Sequence, residues 1–130
     1  MGIIFTGIDQ ILFRGKLPFT LKHKHADHQT LKPASKMPKI DYPKPDNIIT
    51  FDKTSSVYLT GTNHVDNQPV HLKLKDPSLP INYTLNEYDE PAQRYCPAGV
   101  YEVQKENGSN RFVINSQNCI HCKTCDIKEP

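Results

Sequence analysis

Tyr95-Cys96-Pro97, read together with Asn118-Cys119-Ile120-His121-Cys122-Lys123-Thr124-Cys125-Asp126, decides the architecture of this chain. These are the only four cysteines among its 130 residues. Two residues between successive thiolates let a tight, amide-lined loop wrap one face of an iron-sulfur cubane, while a distant Cys-Pro closes the fourth corner. In the bacterial two-cluster run, the third cysteine is followed by three residues and a Cys-Pro whose sulfur serves a second cluster. Here Cys125 leads instead into Asp126-Ile127-Lys128-Glu129-Pro130. The spacing predicts one 4Fe-4S centre with Cys96, Cys119, Cys122 and Cys125 as its ligands.

Two rival uses of the thiolates stay open. A structural zinc ion also accepts four, although its sequences usually offer two separated Cys-x-x-Cys pairs, because three closely stepped cysteines crowd one tetrahedral ion. Disulfide frameworks of this size are usually richer in cysteine and belong to secreted chains, and no signal peptide is visible. Sixteen basic against fourteen acidic residues leave a formal net charge of +2 without a basic block, which argues against nucleic acid as a partner. With 36% apolar residues and eleven prolines, much of the chain is expected to be irregular or to lean on a partner.

The organisation predicted along the chain has three parts: residues 1–22, residues 23–47 and residues 48–130. In the first, Ile4, Ile8, Ile11 and Leu12 recur at helical spacing, flanked by Phe5 and Phe13. The stretch is too short to span a bilayer, so it reads as a helix packed on a core or as an amphipathic helix lying on a membrane, with Arg14 and Lys16 at headgroup level. The second part, with Lys32-Pro33, Met37-Pro38 and Tyr42-Pro43-Lys44-Pro45, reads as a connector whose His23, His25 and His28 are solvated. In the third, Val57-Tyr58-Leu59-Thr60 and the alternating Val70-His71-Leu72-Lys73-Leu74-Lys75 read as strands. Val70, Leu72 and Leu74 are then buried, and His71, Lys73 and Lys75 face water.

Nearer the cysteines, Val100-Tyr101-Glu102-Val103-Gln104 and Arg111-Phe112-Val113-Ile114-Asn115 flank Asn107-Gly108, the pair favoured in two-residue hairpin turns. A β-hairpin there folds Cys96 back towards Cys119. The overall expectation is an α+β fold: a ferredoxin-like 4Fe-4S cluster domain with β-hairpins, preceded by an amphipathic helix and a Pro-rich connector. Thr124 lies between two predicted ligands, so its hydroxyl is held near sulfur. Tyr101 sits five residues after Cys96, within reach of a ligand or simply packed in the core. His121 reads as a loop residue, since four thiolates already satisfy such a cluster.

The stretch from Gln93 to Glu102, followed by Asn118 to Lys128, closely resembles the carboxyl-terminal part of the electron transfer flavoprotein-ubiquinone oxidoreductase family. Arg14-Gly15, Thr20-Leu21-Lys22-His23-Lys24, Leu31-Lys32-Pro33-Ala34, Tyr42-Pro43-Lys44-Pro45-Asp46 and Gly61-Thr62-Asn63-His64 are similar to it as well, so the resemblance covers nearly the whole chain.

The resemblance implies an oxidoreductase of the mitochondrial inner membrane, facing the matrix, that carries FAD and one 4Fe-4S cluster. Its implied partners are electron transfer flavoprotein, which supplies the electrons, and ubiquinone, which receives them. No Gly-x-Gly-x-x-Gly follows a strand here, so the FAD domain is expected to be missing from this chain. The resemblance also favours the membrane-surface reading of Ile4, Ile8, Ile11 and Leu12, with Thr6, Asp9 and Gln10 facing water. It further implies that Tyr101 and Thr124 donate hydrogen bonds to the cluster and tune it. No residue is expected to act as a general acid or base. A free-standing ferredoxin-like carrier and a zinc-stabilised binding module are the alternatives.

Overall fold

A computed structural model describes residues 2–19 and 22–130 of the protein. Met1, and the Thr20 and Leu21 quoted above for the resemblance, lie outside the described residues. Helix α1 (Gly2–Ile8) runs into a π-helical turn at Asp9–Phe13. Short 3-10 turns follow at Asp27–Thr30 and Ala34–Lys36, and then helix α2 (Lys53–Leu59). A π-helical turn at Pro80–Thr84 leads directly into α3 (Leu85–Tyr88), and α4 (Ala92–Tyr95) ends at the first cysteine. Strands β1 (Tyr101–Glu106) and β2 (Ser109–Ile114), a 3-10 turn at Ser116–Asn118 and helix α5 (Thr124–Lys128) complete a mixed α+β chain.

The hairpin forms where the Asn-Gly pair predicts it. Its register runs from Tyr101 opposite Ile114 to Glu106 opposite Ser109. Asn107 and Gly108 both take positive φ, 50° and 82°, the backbone that a two-residue turn needs to match the twist of its strands. Beyond the strands, the Asn115 N–H donates to the Val100 carbonyl at 2.7 Å, so the returning chain is tied to the residue that follows Gly99. This pairing carries Cys96 and Cys119 to the same end of the hairpin. It is the one β-hairpin among the described residues, where more than one was expected.

The two other predicted strands do not form. Val57-Tyr58-Leu59 belongs to α2, because the Asp52 carboxylate accepts the Ser55 N–H at 3.0 Å and caps a helix start just ahead of them. Four or so residues with strand propensity do not outweigh a satisfied cap when no neighbouring strand pairs with them. The alternation of Val70 to Lys75 likewise meets no partner strand among the described residues, and the segment stays irregular. Only Leu72 packs against the core; Val70 and Leu74 are exposed. His71 does not simply face water either, for its ring lies against those of His64 and His121.

The core is small: Ala92, Cys96, Ala98, Val100 and Tyr101, with Val57, Leu72, Tyr95, Phe112, Ile114, Cys119, Ile120 and Cys125 packed around it. Three of the four cysteines are part of that packing, so the core and the cysteine cluster are one construction. Glu90 is fully buried beside it, where Thr84 donates to its carboxylate and the Ala92 N–H reaches it at 3.4 Å. Burial, the larger influence, raises the Glu90 carboxyl above its ordinary value, and the Thr84 bond opposes the rise.

The amino-terminal segment has the opposite character. Ile3, Ile4, Phe5, Ile8, Ile11, Leu12 and Phe13 are all exposed, so this stretch does not pack on the core around the cysteines. Thr6 and Gln10 face solvent as expected, but Asp9 is half-buried and one of its carboxylate oxygens is shut off without a hydrogen-bond partner. No helix among the described residues is long and apolar enough to cross a membrane.

Candidate metal centre

Cys96 is set by α4, whose last turn closes with the Cys96 N–H on the Ala92 carbonyl at 3.2 Å. Pro97 cannot extend that helix, and the chain turns through Gly99, at φ 62°, into β1. The other three cysteines follow β2 on a loop that includes two left-handed non-glycine residues, His121 at φ 57° and Lys123 at φ 62°. Such backbone costs of order 1–3 kcal/mol per residue and concentrates where a site requires it. It bends the loop around a common centre, so that Cys96, Cys119, Cys122 and Cys125 line one cavity.

No disulfide joins any two of the four cysteines. Leu72, Ala98, Val100, Ile120, Tyr95 and Tyr101 complete the walls of the cavity. Donors point at the sulfurs from the backbone: the Val100 N–H approaches Cys96 Sγ at 3.5 Å, and the His121 N–H approaches Cys119 Sγ at 3.4 Å. Thr124 Oγ1 lies 3.3 Å from Cys122 Sγ. That hydroxyl, then the Thr124 backbone N–H, hold the Cys122 thiol below its ordinary pKa. Tyr101 is buried against the same cavity; burial first, then its hydrogen bond towards Cys125, push its hydroxyl well above the usual tyrosine range. A largely apolar pocket lined by four cysteines, with amide and hydroxyl donors at the sulfurs, fits an anionic iron-sulfur centre.

Sequence periodicity did not single out the residues that hold this site from outside. His64, nearly buried, places Nε2 2.8 Å from the Cys119 carbonyl oxygen. A carbonyl only accepts, so Nε2 carries the proton and donates. The His64, His71 and His121 rings stack or tilt against one another with centroids 4.7–5.4 Å apart. Desolvation first, then the His121 and His64 rings, lower the His71 pKa. His71, Cys119 and His121 also bring their ligand atoms within 4.8 Å of one another, so a single ion bound there competes for Cys119 with the four-thiol arrangement. On the other side, Lys53 Nζ donates to the Gln93 and Cys96 carbonyls, each at 3.2 Å.

The residues assigned to a membrane surface stand apart from this centre. Ile4, Ile8, Ile11 and Leu12 lie on α1 and its π-helical extension and line no wall of the cysteine cavity.

Residues 47–130 match the family described as electron transfer flavoprotein-ubiquinone oxidoreductase, 4Fe-4S. Over 99% of its length the chain is 62% identical to the electron transfer flavoprotein-ubiquinone oxidoreductase of Pseudomonas aeruginosa, covering 24% of that protein. It is 59% identical over 99% of its length to the pig (Sus scrofa) protein of the same name, and 57% to the human one, covering 21% of each. Both mammalian proteins are named mitochondrial. The chain therefore spans about a quarter or less of the length of these relatives.

Proposed function

Because the chain belongs to the electron transfer flavoprotein-ubiquinone oxidoreductase family and carries its 4Fe-4S domain, we propose that Cys96, Cys119, Cys122 and Cys125 hold that single cluster. The observation that carries this reading is the convergence of all four cysteines of the chain on one cavity. When bound, the cluster supplies one-electron exchange. The chain's own part is to exclude water with Leu72, Val100 and Ile120, to hold the thiolates in place, and to direct donors at sulfur. Tyr101 and Thr124 are the hydroxyl donors that favour the reduced, more negative state. No side chain here moves a proton.

In the whole protein, electrons from reduced electron transfer flavoprotein reach ubiquinone, and FAD is carried by the part of the enzyme outside this chain. The exposed Ile4, Ile8, Ile11 and Leu12 rest on the membrane surface beside that part. In a mitochondrion this surface is the inner membrane on its matrix side. Within the chain, residues 1–22 form the surface segment, 23–47 the proline-rich connector and 48–130 a ferredoxin-like cluster domain.

Anaerobic reconstitution with iron and sulfide, followed by iron and acid-labile sulfide analysis, tests the assignment. A single 4Fe-4S cluster per chain is expected, lost when any one of the four cysteines is replaced by Ala. Bound zinc without labile sulfide sinks the proposal, as does a Cys→Ala variant that keeps an unaltered cluster.

A further inference from the structure

Two side chains from one short stretch of sequence reach the two separate arms of the cysteine site. Lys53, the first residue of α2, donates to the Cys96 carbonyl at 3.2 Å, and His64, five residues beyond the end of α2, donates to the Cys119 carbonyl at 2.8 Å. These bonds bridge 43 and 55 residues of sequence. No other side chain donates to the carbonyl of a cysteine among the described hydrogen bonds.

We propose that Lys53 and His64 are positioning residues for the cluster, Lys53 by fixing the Cys96 arm and adding positive charge beside it, His64 by fixing the Cys119 loop. The proposal rests on the four-cysteine assignment above and adds the segment that holds and tunes it.

The geometry of Lys53 supports both halves of its role. Its ammonium also takes the Gln93 carbonyl at 3.2 Å, so it closes the carboxyl-terminal end of α4, where carbonyls lack intrahelical partners and a cation is favoured. Cys96 ends that helix, and its position then depends on how firmly the turn is held. The positive charge favours whichever oxidation state of the centre is more negative, the reduced one, and so raises the potential. The side chain is exposed, so solvent and salt weaken this effect.

His64 works without needing a charge. It is 9% exposed, and its ring is wedged against His71 and His121, which limits the orientations of its Nε2–H. His121 itself sits in the strained ligand loop, so the ring contact and the carbonyl bond grip the loop at adjacent points. An unsupported loop with two left-handed residues relaxes readily once a thiolate lets go.

The test uses the cluster-loaded protein, with two readouts: the midpoint potential by titration and the rate of iron loss to a chelator. Lys53→Met should shift the midpoint downward and speed iron loss, and Lys53→Arg, which keeps charge and donor, should restore both. His64→Leu should speed iron loss several-fold, and His64→Gln, whose side-chain amide can donate from a similar position, should restore retention. Lowering the ionic strength should widen the midpoint difference between Lys53→Met and the unsubstituted protein. An unchanged midpoint in Lys53→Met, native iron retention in His64→Leu, or equal defects in the conservative variants would overturn the positioning roles while leaving the ligand assignment intact. Failure of the unsubstituted protein to assemble a cluster overturns the ligand assignment itself, and the inference with it.

Discussion

Tyr101 and Thr124 differ in how firmly their hydroxyls are held, and this sets what each should do to the potential. Thr124 Oγ1 lies 3.3 Å from Cys122 Sγ on the rim of the cavity, whereas Tyr101 is 9% exposed and stacks on Phe112 with ring centroids 5.9 Å apart. A hydrogen bond to sulfur is worth more where water cannot replace it, so Tyr101→Phe should lower the midpoint more than Thr124→Ala. Each shift is expected to be on the order of tens of millivolts, within the range that hydrogen bonds and exposure impose on such centres. Potentiometric titration of the two variants decides it, and a raised or unshifted midpoint removes the tuning role. At this scale the four cysteines were legible because their number and spacing admit few uses. Lys53 and His64 were not, because a bond across 43 or 55 residues leaves no mark on local periodicity.

Among the elements, the hairpin and α2 each depend on one local device. Gly108 holds φ 82°, and a Cβ placed there would meet nothing within 4 Å, so the first cost of substitution lies in the backbone. Gly108→Val should destabilise the hairpin by about 1–2 kcal/mol, the penalty for left-handed backbone, read as a lower thermal midpoint and faster iron loss. Gly108→Asn should be milder, since Asn tolerates this conformation. Helix α2 depends on an acid, Asp52, at its cap, and the turn before it on another, Asp46. Backbone N–H groups of Thr50, Ile48 and Ile49 hold the Asp46 carboxyl far below its ordinary value, and the Ser55 hydroxyl and N–H lower Asp52. A depressed folded-state pKa adds stability above the unfolded value of about 3.9, and that stability is lost as pH falls through the folded value. Hydrogen-exchange protection at Ile48 to Ser56, taken relative to the intrinsic rate at each pH, should therefore fall as the solution is acidified below about pH 4, and the fall across α2 should be smaller in an Asp52→Asn variant, whose residue 52 does not titrate. The hairpin was readable because Asn-Gly specifies a turn geometry by itself. Helix α2 was misread because β-branched and aromatic residues outvoted a cap that sits one residue ahead of the helix.

Across the whole molecule, apolar surface is divided between a small core around the cysteines and an uncovered amino-terminal segment. Replacing Ile8 and Ile11 with Ser should weaken association with phospholipid vesicles while leaving cluster content unchanged, because these side chains stand apart from the cavity. Cosedimentation with vesicles and iron analysis of the same samples check both halves; unaltered binding would rule out the surface role. The apolar spacing of this segment was plain in sequence, but whether it faces a core or the outside depends on packing that periodicity does not encode. The four cysteines are also unequally sheltered: Cys96 is 6% exposed, Cys119 and Cys125 are half-buried, and Cys122 is open to solvent. On the proposed ligand assignment, the Cys122 corner is where the centre lies nearest to solvent, and so to dissolved oxygen. The most open corner of such a centre is also the place where corrosion begins, so damage in air should start at Cys122 while Cys96 is still intact.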